Sequence, residues 1–360
     1  MKKWLLTVLA VPLLFFSCED NEDVTMDQNA VEIDMSDFYV YTDMDPELFN
    51  KENSGKKKNC HSMAVLNRKL KENPGLYQKM YNVEKHTRKT IAAKKPTGSP
   101  GGGNGNGGGN GGDGGGGNDP GPYTGAVSIP VVINILEDFS GQVTQAQINS
   151  QIAILNEDFN NNNPNTSSVP AEFADRVANC DISFGPVTIN RKISTKSSWG
   201  TNDSMKDPGQ GGIAVTDPSS NLNIWVCNIG GGILGYAQFP GDPDVAGDGI
   251  VIGIDYFGET SGPYGDGRTA THEVGHWLNL RHIWGDGRCK QDDFVADTPS
   301  SDRSNGGCPS YPTVHCRTND MTMNYMDYVY DDCMYMFTNG QNDRMRALFA
   351  AGGARVGFVN

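Results

Sequence analysis

Apolar residues recur at two different intervals along this chain of 360 residues, and the intervals predict its elements. In Met63 to Tyr81 (MAVLNRKLKENPGLYQKMY) they fall at helical spacing with an interruption at Pro74, which predicts two short helices. Ser128 to Leu136 (SIPVVINIL) is instead a β-branched run and predicts a buried strand. Thr144 to Phe159 returns to the helical interval, with Ile148, Ile152, Leu155 and Phe159 on one face. Asn221 to Ile229 (NLNIWVCNI) and Gly249 to Tyr256 (GIVIGIDY) predict further sheet strands. A strand followed by a helix and then more strands fits an α/β sandwich. Between the last two strands, Gly230 to Pro240 (GGGILGYAQFP) is rich in glycine yet carries Ile233, Leu234, Tyr236 and Phe239. It fits an edge strand that binds an extended peptide by strand addition, or a plain glycine loop under the sheet.

Composition divides the chain. Lys2 and Lys3 precede an apolar run from Trp4 to Phe16, too short to span a bilayer comfortably, so residues 1–18 are predicted to be an export signal. Its end, Leu14-Phe15-Phe16-Ser17-Cys18, resembles a loose bacterial lipobox, which would make Cys18 the lipidated first residue. The two Phe depart from the usual small residues there, and ordinary cleavage with a free Cys18 is the alternative. The acidic run Glu19, Asp20, Glu22 and Asp23 resembles the surface-export tether of bacterial lipoproteins, which implies an outer-membrane or cell-surface location. Residues 19–97 are charged and lean in β-branched residues, and 98–122 are nearly all Gly, Asn, Asp and Pro, a flexible hydrated linker. Residues 123–360 have the pattern of one globular domain with a sizeable core. The net charge of −14 argues against a nucleic-acid partner.

The chemistry concentrates in His272-Glu273-Val274-Gly275-His276-Trp277-Leu278-Asn279-Leu280-Arg281-His282. A helix turns about 100° per residue, so His272 and His276 project from one face and can share a zinc ion. Glu273 then lies beside the ion, where a carboxylate can take a proton from metal-activated water and pass it to the leaving amine. The third ligand is expected to be His282, too far round a continuing helix to reach the same metal, so the helix must end between His276 and His282. Longer metzincin motifs place Gly at that break; Asn279 stands here, and Asn tolerates the left-handed backbone the break needs. A lone HExxH also occurs on solvated helix faces, and the added His282 argues against that. His86 and His315 fall outside the set and are expected to have no metal role.

Across most of residues 123–360 the chain resembles the pappalysin family of metzincins. Besides the zinc motif, the resemblance rests on Asn221 to Cys227 (NLNIWVC), Gly235-Tyr236-Ala237, Asp297-Thr298-Pro299 and Asn324-Tyr325-Met326-Asp327-Tyr328. It implies a metzincin-type zinc-protease fold: a twisted mixed sheet, an active-site helix and a loop-rich C-terminal subdomain, preceded by a short helical propeptide. The last motif looks like the Met-turn, in which Met326 floors the metal and Tyr328 approaches the zinc or the substrate oxyanion. An ordinary core methionine is the alternative for Met326.

Eight cysteines in an exported chain call for pairing. The family pattern implies disulfides Cys289 to Cys316 and Cys308 to Cys333, each adding roughly 3 kcal/mol by restricting the unfolded chain. Cys180 and Cys227 can be a pair on adjacent strands or two buried thiols. With Cys18 assigned to lipid, Cys60 is the odd one. Asn59-Cys60-His61-Ser62 resembles the short propeptide motif of the family, although His61 stands where Gly is usual. A thiolate there can coordinate zinc and hold the enzyme latent; a free or intermolecularly paired thiol is the alternative. Release then needs an activating protease, for which the basic stretch Arg88-Lys89 to Lys94-Lys95 is the candidate cut, and the lipid anchor leaves with the leader.

The resemblance implies two further sites. Asp293, the carbonyls of Asp292 and Val295, and Thr298 look like a structural calcium site, with a solvated acidic turn as the alternative. Of Asp331 and Asp332, the acid at Asp332 would sit at the base of the pocket for the residue after the scissile bond, favouring Arg or Lys; surface charge is the alternative.

These residues predict an exported zinc endopeptidase that is made as a latent zymogen and acts on an unfolded protein or peptide segment. A surface binding lipoprotein with a structural or vestigial metal site is the competing class. Glu273 separates the two, because a structural zinc site needs no carboxylate there and closes its fourth position. A zinc amidase of cell-wall peptides shares the chemistry but not the Met-turn.

Overall fold

The computed structural model describes residues 32–40, 60–94 and 121–359. The export signal with Cys18, the acidic run and the linker up to residue 120 lie outside the described residues.

Five strands form one sheet. They are β1 (Val127–Glu137), β2 (Ile182–Ile193), β3 (Leu222–Cys227), β4 (Gly235–Ala237) and β5 (Ile250–Gly253), in the order β2-β1-β3-β5-β4. β1, β2, β3 and β5 run parallel, and β4 closes the series antiparallel to β5. β1, β3 and β5 are buried on both faces, which is why they read in the sequence as near-continuous apolar runs. β2 is absent from the sequence expectation. It is an outer strand, mostly exposed beyond Phe184, and Gly185-Pro186 interrupts its apolar pattern. The segment Gly230 to Pro240, open to two readings from sequence, supplies the edge strand β4.

On one face of the sheet lie α3 (Gln145–Phe159) and α4 (Arg268–Trp277), which pack on each other around Ile148, Leu155, Phe159, Val274 and Trp277. Thr144 caps α3 in a reciprocal box with Gln147, so the helix starts one residue later than its periodicity implied. The other face buries Trp225, Cys227, Tyr236 and Val251. Cys180 lies in the first core and Cys227 in the second, so these thiols stay apart, buried and unpaired. Disulfides join Cys289 to Cys316 and Cys308 to Cys333 and brace the loop-rich region after α4.

The segment before the linker folds as α1 (Ser62–Glu72) and α2 (Leu76–Ala92), parted near Pro74 as the spacing predicts. α2 continues well beyond Tyr81, through a charged stretch without apolar periodicity. A last helix, α5 (Asn339–Ala347), was likewise not foreseen. One contact explains both: α2 and α5 pack together through buried charge. Glu84 of α2 accepts from Arg344 of α5 at 2.7 and 3.1 Å and from Arg88 at 2.8 Å. Hydrophobic spacing carries no signal for a helix buried through satisfied ions.

Burial alone would raise the Glu84 pKa, but the Arg344 and Arg88 guanidiniums override it and hold it at about 2, against an ordinary 4.5. A folded pKa below the unfolded one stabilises fully above the unfolded value and is lost as pH falls through the folded value. That shift corresponds to roughly 3 kcal/mol at neutral pH. Glu84→Gln is therefore expected to lower the melting temperature of the full chain by roughly 6–12 °C at pH 7. The difference from wild type should close as pH falls from about 4.5 toward 2; a gap independent of pH would mean that Glu84 is not ionised in the fold.

Candidate active site

α4 runs from Arg268 to Trp277 and brings His272, Glu273 and His276 to one side. It stops at Leu278, and Asn279 follows with φ of +70°, the left-handed turn the spacing demanded. Gly275 has a role that the sequence reading missed. A Cβ there would come within 2.5 Å of Met326 Sδ, so only glycine lets the methionine lie directly beneath the helix. Met326 is fully buried.

Each imidazole is oriented through Nδ1. His272 donates to the Tyr325 carbonyl at 2.7 Å, His276 to the Leu280 carbonyl at 2.8 Å, and His282 pairs with the buried Asp286 carboxylate. Acceptors on Nδ1 fix the tautomer and present Nε2 as the metal-binding atom. None of these partners was singled out from sequence. Asp286 lies four residues after His282 and was accessible to that reasoning; the two carbonyls carry no side-chain signal.

Nitrogen atoms of His272, His276 and His282 converge with Cys60 Sγ, all within 4.8 Å of one another and all four residues buried. The set can be tested against tetrahedral zinc. Bonds of about 2.0–2.1 Å to nitrogen and 2.3 Å to sulfur separate two nitrogens by roughly 3.3 Å and a sulfur from a nitrogen by roughly 3.6 Å. His276 Nε2 and His282 Nε2 lie 3.1 Å apart, and Cys60 Sγ lies 3.6 Å from His276 Nε2. Donor type, number and spacing therefore fit one zinc ion. Burial and then the Glu273 charge push the Cys60 thiol pKa well up.

Glu273 is fully buried, and its Oε2 accepts from Ser62 Oγ at 2.7 Å with Cys60 Sγ at 3.6 Å. Ser62 Oγ in turn accepts from the Ala237 amide at 2.7 Å, and the His61 amide donates to the Gly235 carbonyl at 3.0 Å. The leader thus lies along β4, with Cys60 bridged in parallel to Gly235, and it covers both the metal position and the carboxylate. Ser62 was not predicted to touch Glu273. Tyr328 is buried with its ring centroid 4.8 Å from that of His282 and 5.8 Å from that of His272; burial first, then nearby negative charge, raises its pKa.

The other predicted residues lie further out. Asp293 is buried and accepts from Thr298 Oγ1 at 2.9 Å and from the Val295 amide at 3.1 Å, while Thr298 also donates to the Val295 carbonyl at 2.8 Å. The Asp292 carbonyl accepts from the Tyr39 hydroxyl at 2.9 Å. Asp332 is exposed, its carboxylate 3.3 Å from both sulfurs of the Cys308–Cys333 disulfide. Its neighbour Asp331 is buried and accepts the Asp266 and Arg268 amides at 3.2 and 3.1 Å, which ties it to the start of α4. His86 and His315 are remote from the cluster: His86 lies by the Ala347 carbonyl and His315 pairs with Asp320.

Residues 216–350 match the peptidase family described as "Pregnancy-associated plasma protein-A". "Extracellular metalloprotease 1" of Coccidioides posadasii is 32% identical over 231 residues, 61% of this chain and 74% of that protein. Mature mirolysin of Tannerella forsythia, solved with a cleaved peptide, superimposes with a TM-score of 0.63 at 42% identity, covering 66% of this chain and 96% of that one. A promirolysin variant from the same organism covers 84% of this chain and 97% of its own, with a TM-score of 0.69 at 35% identity. The chain belongs to the pappalysin family and has its metzincin fold. It is a metalloendopeptidase.

Proposed function

We propose that this protein is an exported zinc endopeptidase, held latent by its own leader and acting on extended segments of protein substrates. The observation that carries this reading is the convergence of three buried imidazoles and one leader thiol within 4.8 Å, with a buried carboxylate beside them. His272, His276 and His282 hold the zinc. When bound, zinc supplies Lewis acidity, which polarises the scissile carbonyl and makes water acidic enough to lose a proton near neutral pH. Glu273 accepts that proton at its carboxylate and delivers it to the amine as the C–N bond breaks. β4 offers the Gly235 carbonyl and the Ala237 amide for strand addition, and Tyr328, whose ring packs against His282 and His272, donates its hydroxyl to the developing oxyanion.

In the precursor, Cys60 fills the ligand position that catalysis needs open, and Ser62 ties up Glu273. Removal of the leader frees both. Within the basic stretch, Arg88 and Lys89 are held in α2, which ends at Ala92, so the cut falls at the next basic pair in the sequence, Lys94-Lys95. Cys18 lipidation makes the precursor a surface lipoprotein, and the cut releases the enzyme. Asp332 favours Arg or Lys after the scissile bond.

The test is to incubate activated enzyme with a peptide library, untreated, with chelator, and with zinc restored after chelation. Cleavage enriched before basic residues, abolished by the chelator and recovered with zinc is expected; undiminished cleavage in chelator defeats the zinc mechanism.

Calcium binds at Asp293, Thr298 and the carbonyls of Asp292 and Val295, where the buried Asp293 carboxylate and the Val295 carbonyl lie 2.9 and 2.8 Å from the Thr298 hydroxyl and burial, then the hydrogen bond and charge of Asp292, push the Asp293 pKa well up. Selective calcium removal should lower the melting temperature of wild type, with recovery on adding calcium but not magnesium, and should leave Asp293→Asn unaffected. An unchanged wild-type melting temperature counts against this site.

A further inference from the structure

A slot beside the cleft already contains a lysine. Lys69 of α1 is 5% exposed, and its Nζ lies 2.6 Å from Gln238 Oε1, 3.0 Å from Asp242 Oδ2 and 3.3 Å from Asp244 Oδ2. An ammonium has three N–H donors, and three oxygens surround this one. With α1 in place the Asp242 side chain is 2% exposed, and its ion pair is with Lys69. Asp203 is 3.8 Å from Lys69 but has its own partner in Lys206 at 2.8 Å, so it is not left unpaired when Lys69 leaves.

The slot is shaped as well as charged. A Cβ on Gly247 would fall 2.4 Å from Gln238 Oε1 and 3.0 Å from Lys69 Nζ, so the missing side chain is what makes room for the ammonium. The slot also lies on the stretch of chain that leaves β4 beside the catalytic centre. Phe239 packs its ring 5.1 Å from the His276 ring, and a small cavity between the leader helices and the domain is lined on the domain side by Ala237, Gln238, Phe239 and Asp242. Ala237 belongs to the edge strand that the leader covers.

We propose that, once the leader has gone, this slot is a subsite for a lysine side chain of the substrate, several residues from the scissile bond on the arm of the cleft that α1 covers. The inference rests on the reading that the leader is removed and the groove then binds peptide. Loss of Lys69 leaves the Asp242 and Asp244 carboxylates and Gln238 Oε1 without their cation beside Phe239, and a substrate ammonium on the same three oxygens restores the pair. Lysine is favoured over arginine, because a planar guanidinium needs a wider slot and an edge-on pair of acceptors.

The experiment uses the activated enzyme and peptides with one cleavable bond, placing Lys, Arg or Met in turn at each position except the one directly after that bond. Met keeps an apolar stem without the charge, so the ratio of kcat/KM for Lys over Met within one enzyme is the readout. At one position wild type should give a ratio of about ten, expressed in KM, with Arg intermediate; Asp242→Asn and Gly247→Ala should each bring it close to one. Gly247→Ala keeps the charges, so it tests the slot even where Asp242→Asn does not fold. A wild-type ratio near one at every position overturns the subsite, as does a ratio that survives both substitutions. Failure of wild type to cut any peptide overturns the peptidase reading and the subsite with it.

Discussion

Replacing Glu273 with Ala is expected to lower kcat by about three to four orders of magnitude, the upper part of the range for a lost general acid–base group. The three imidazoles are each oriented by another acceptor, namely the Tyr325 and Leu280 carbonyls and Asp286, so the variant should retain one equivalent of zinc. Glu273→Gln should fare no better, since an amide keeps the shape but cannot carry the proton. Activity, bound metal and melting temperature measured together separate this from misfolding. A loss below tenfold in kcat, with metal and fold intact, would remove Glu273 from the mechanism.

The second large effect concerns latency. Cys60→Ala should raise the peptidase activity of the uncut chain by roughly a hundredfold, equivalent to about 2.7 kcal/mol of leader occupancy. Ser62→Ala should give a smaller rise, near tenfold, because it removes one hydrogen bond to a charged group and leaves the sulfur. Initial rates on a fluorogenic peptide, with mass spectrometry verifying that the leader is still attached, give the comparison. An uncut Cys60→Ala chain as silent as wild type would show that the helices α1 and α2 alone block the cleft.

The zinc motif was legible because its geometry is local: helical spacing puts His272 and His276 together, and a single turn at Asn279 returns His282. The buried parallel strands were legible for a similar reason, since burial on both faces leaves continuous apolar runs. β2 was not, because an exposed outer strand keeps no such run. Nor were α5 and the extension of α2, which are buried through Glu84 and Arg344. Within the site, the partners that orient the histidines are mostly backbone carbonyls, to which any side chain contributes equally in sequence. Ser62 and Gly275 act through contacts across the fold, with Glu273 and Met326 respectively, and no spacing rule links those pairs.

The most direct measurement is the first coordination shell of the metal before and after the leader is cut, read by X-ray absorption at the zinc edge with a parallel optical spectrum of cobalt-substituted protein. Three nitrogen donors should persist in both forms. The uncut chain should show in addition one sulfur at about 2.3 Å and a thiolate-to-cobalt charge-transfer band, both lost on maturation. A precursor without sulfur in the shell, or a mature form whose shell is unchanged from the precursor, would contradict the account.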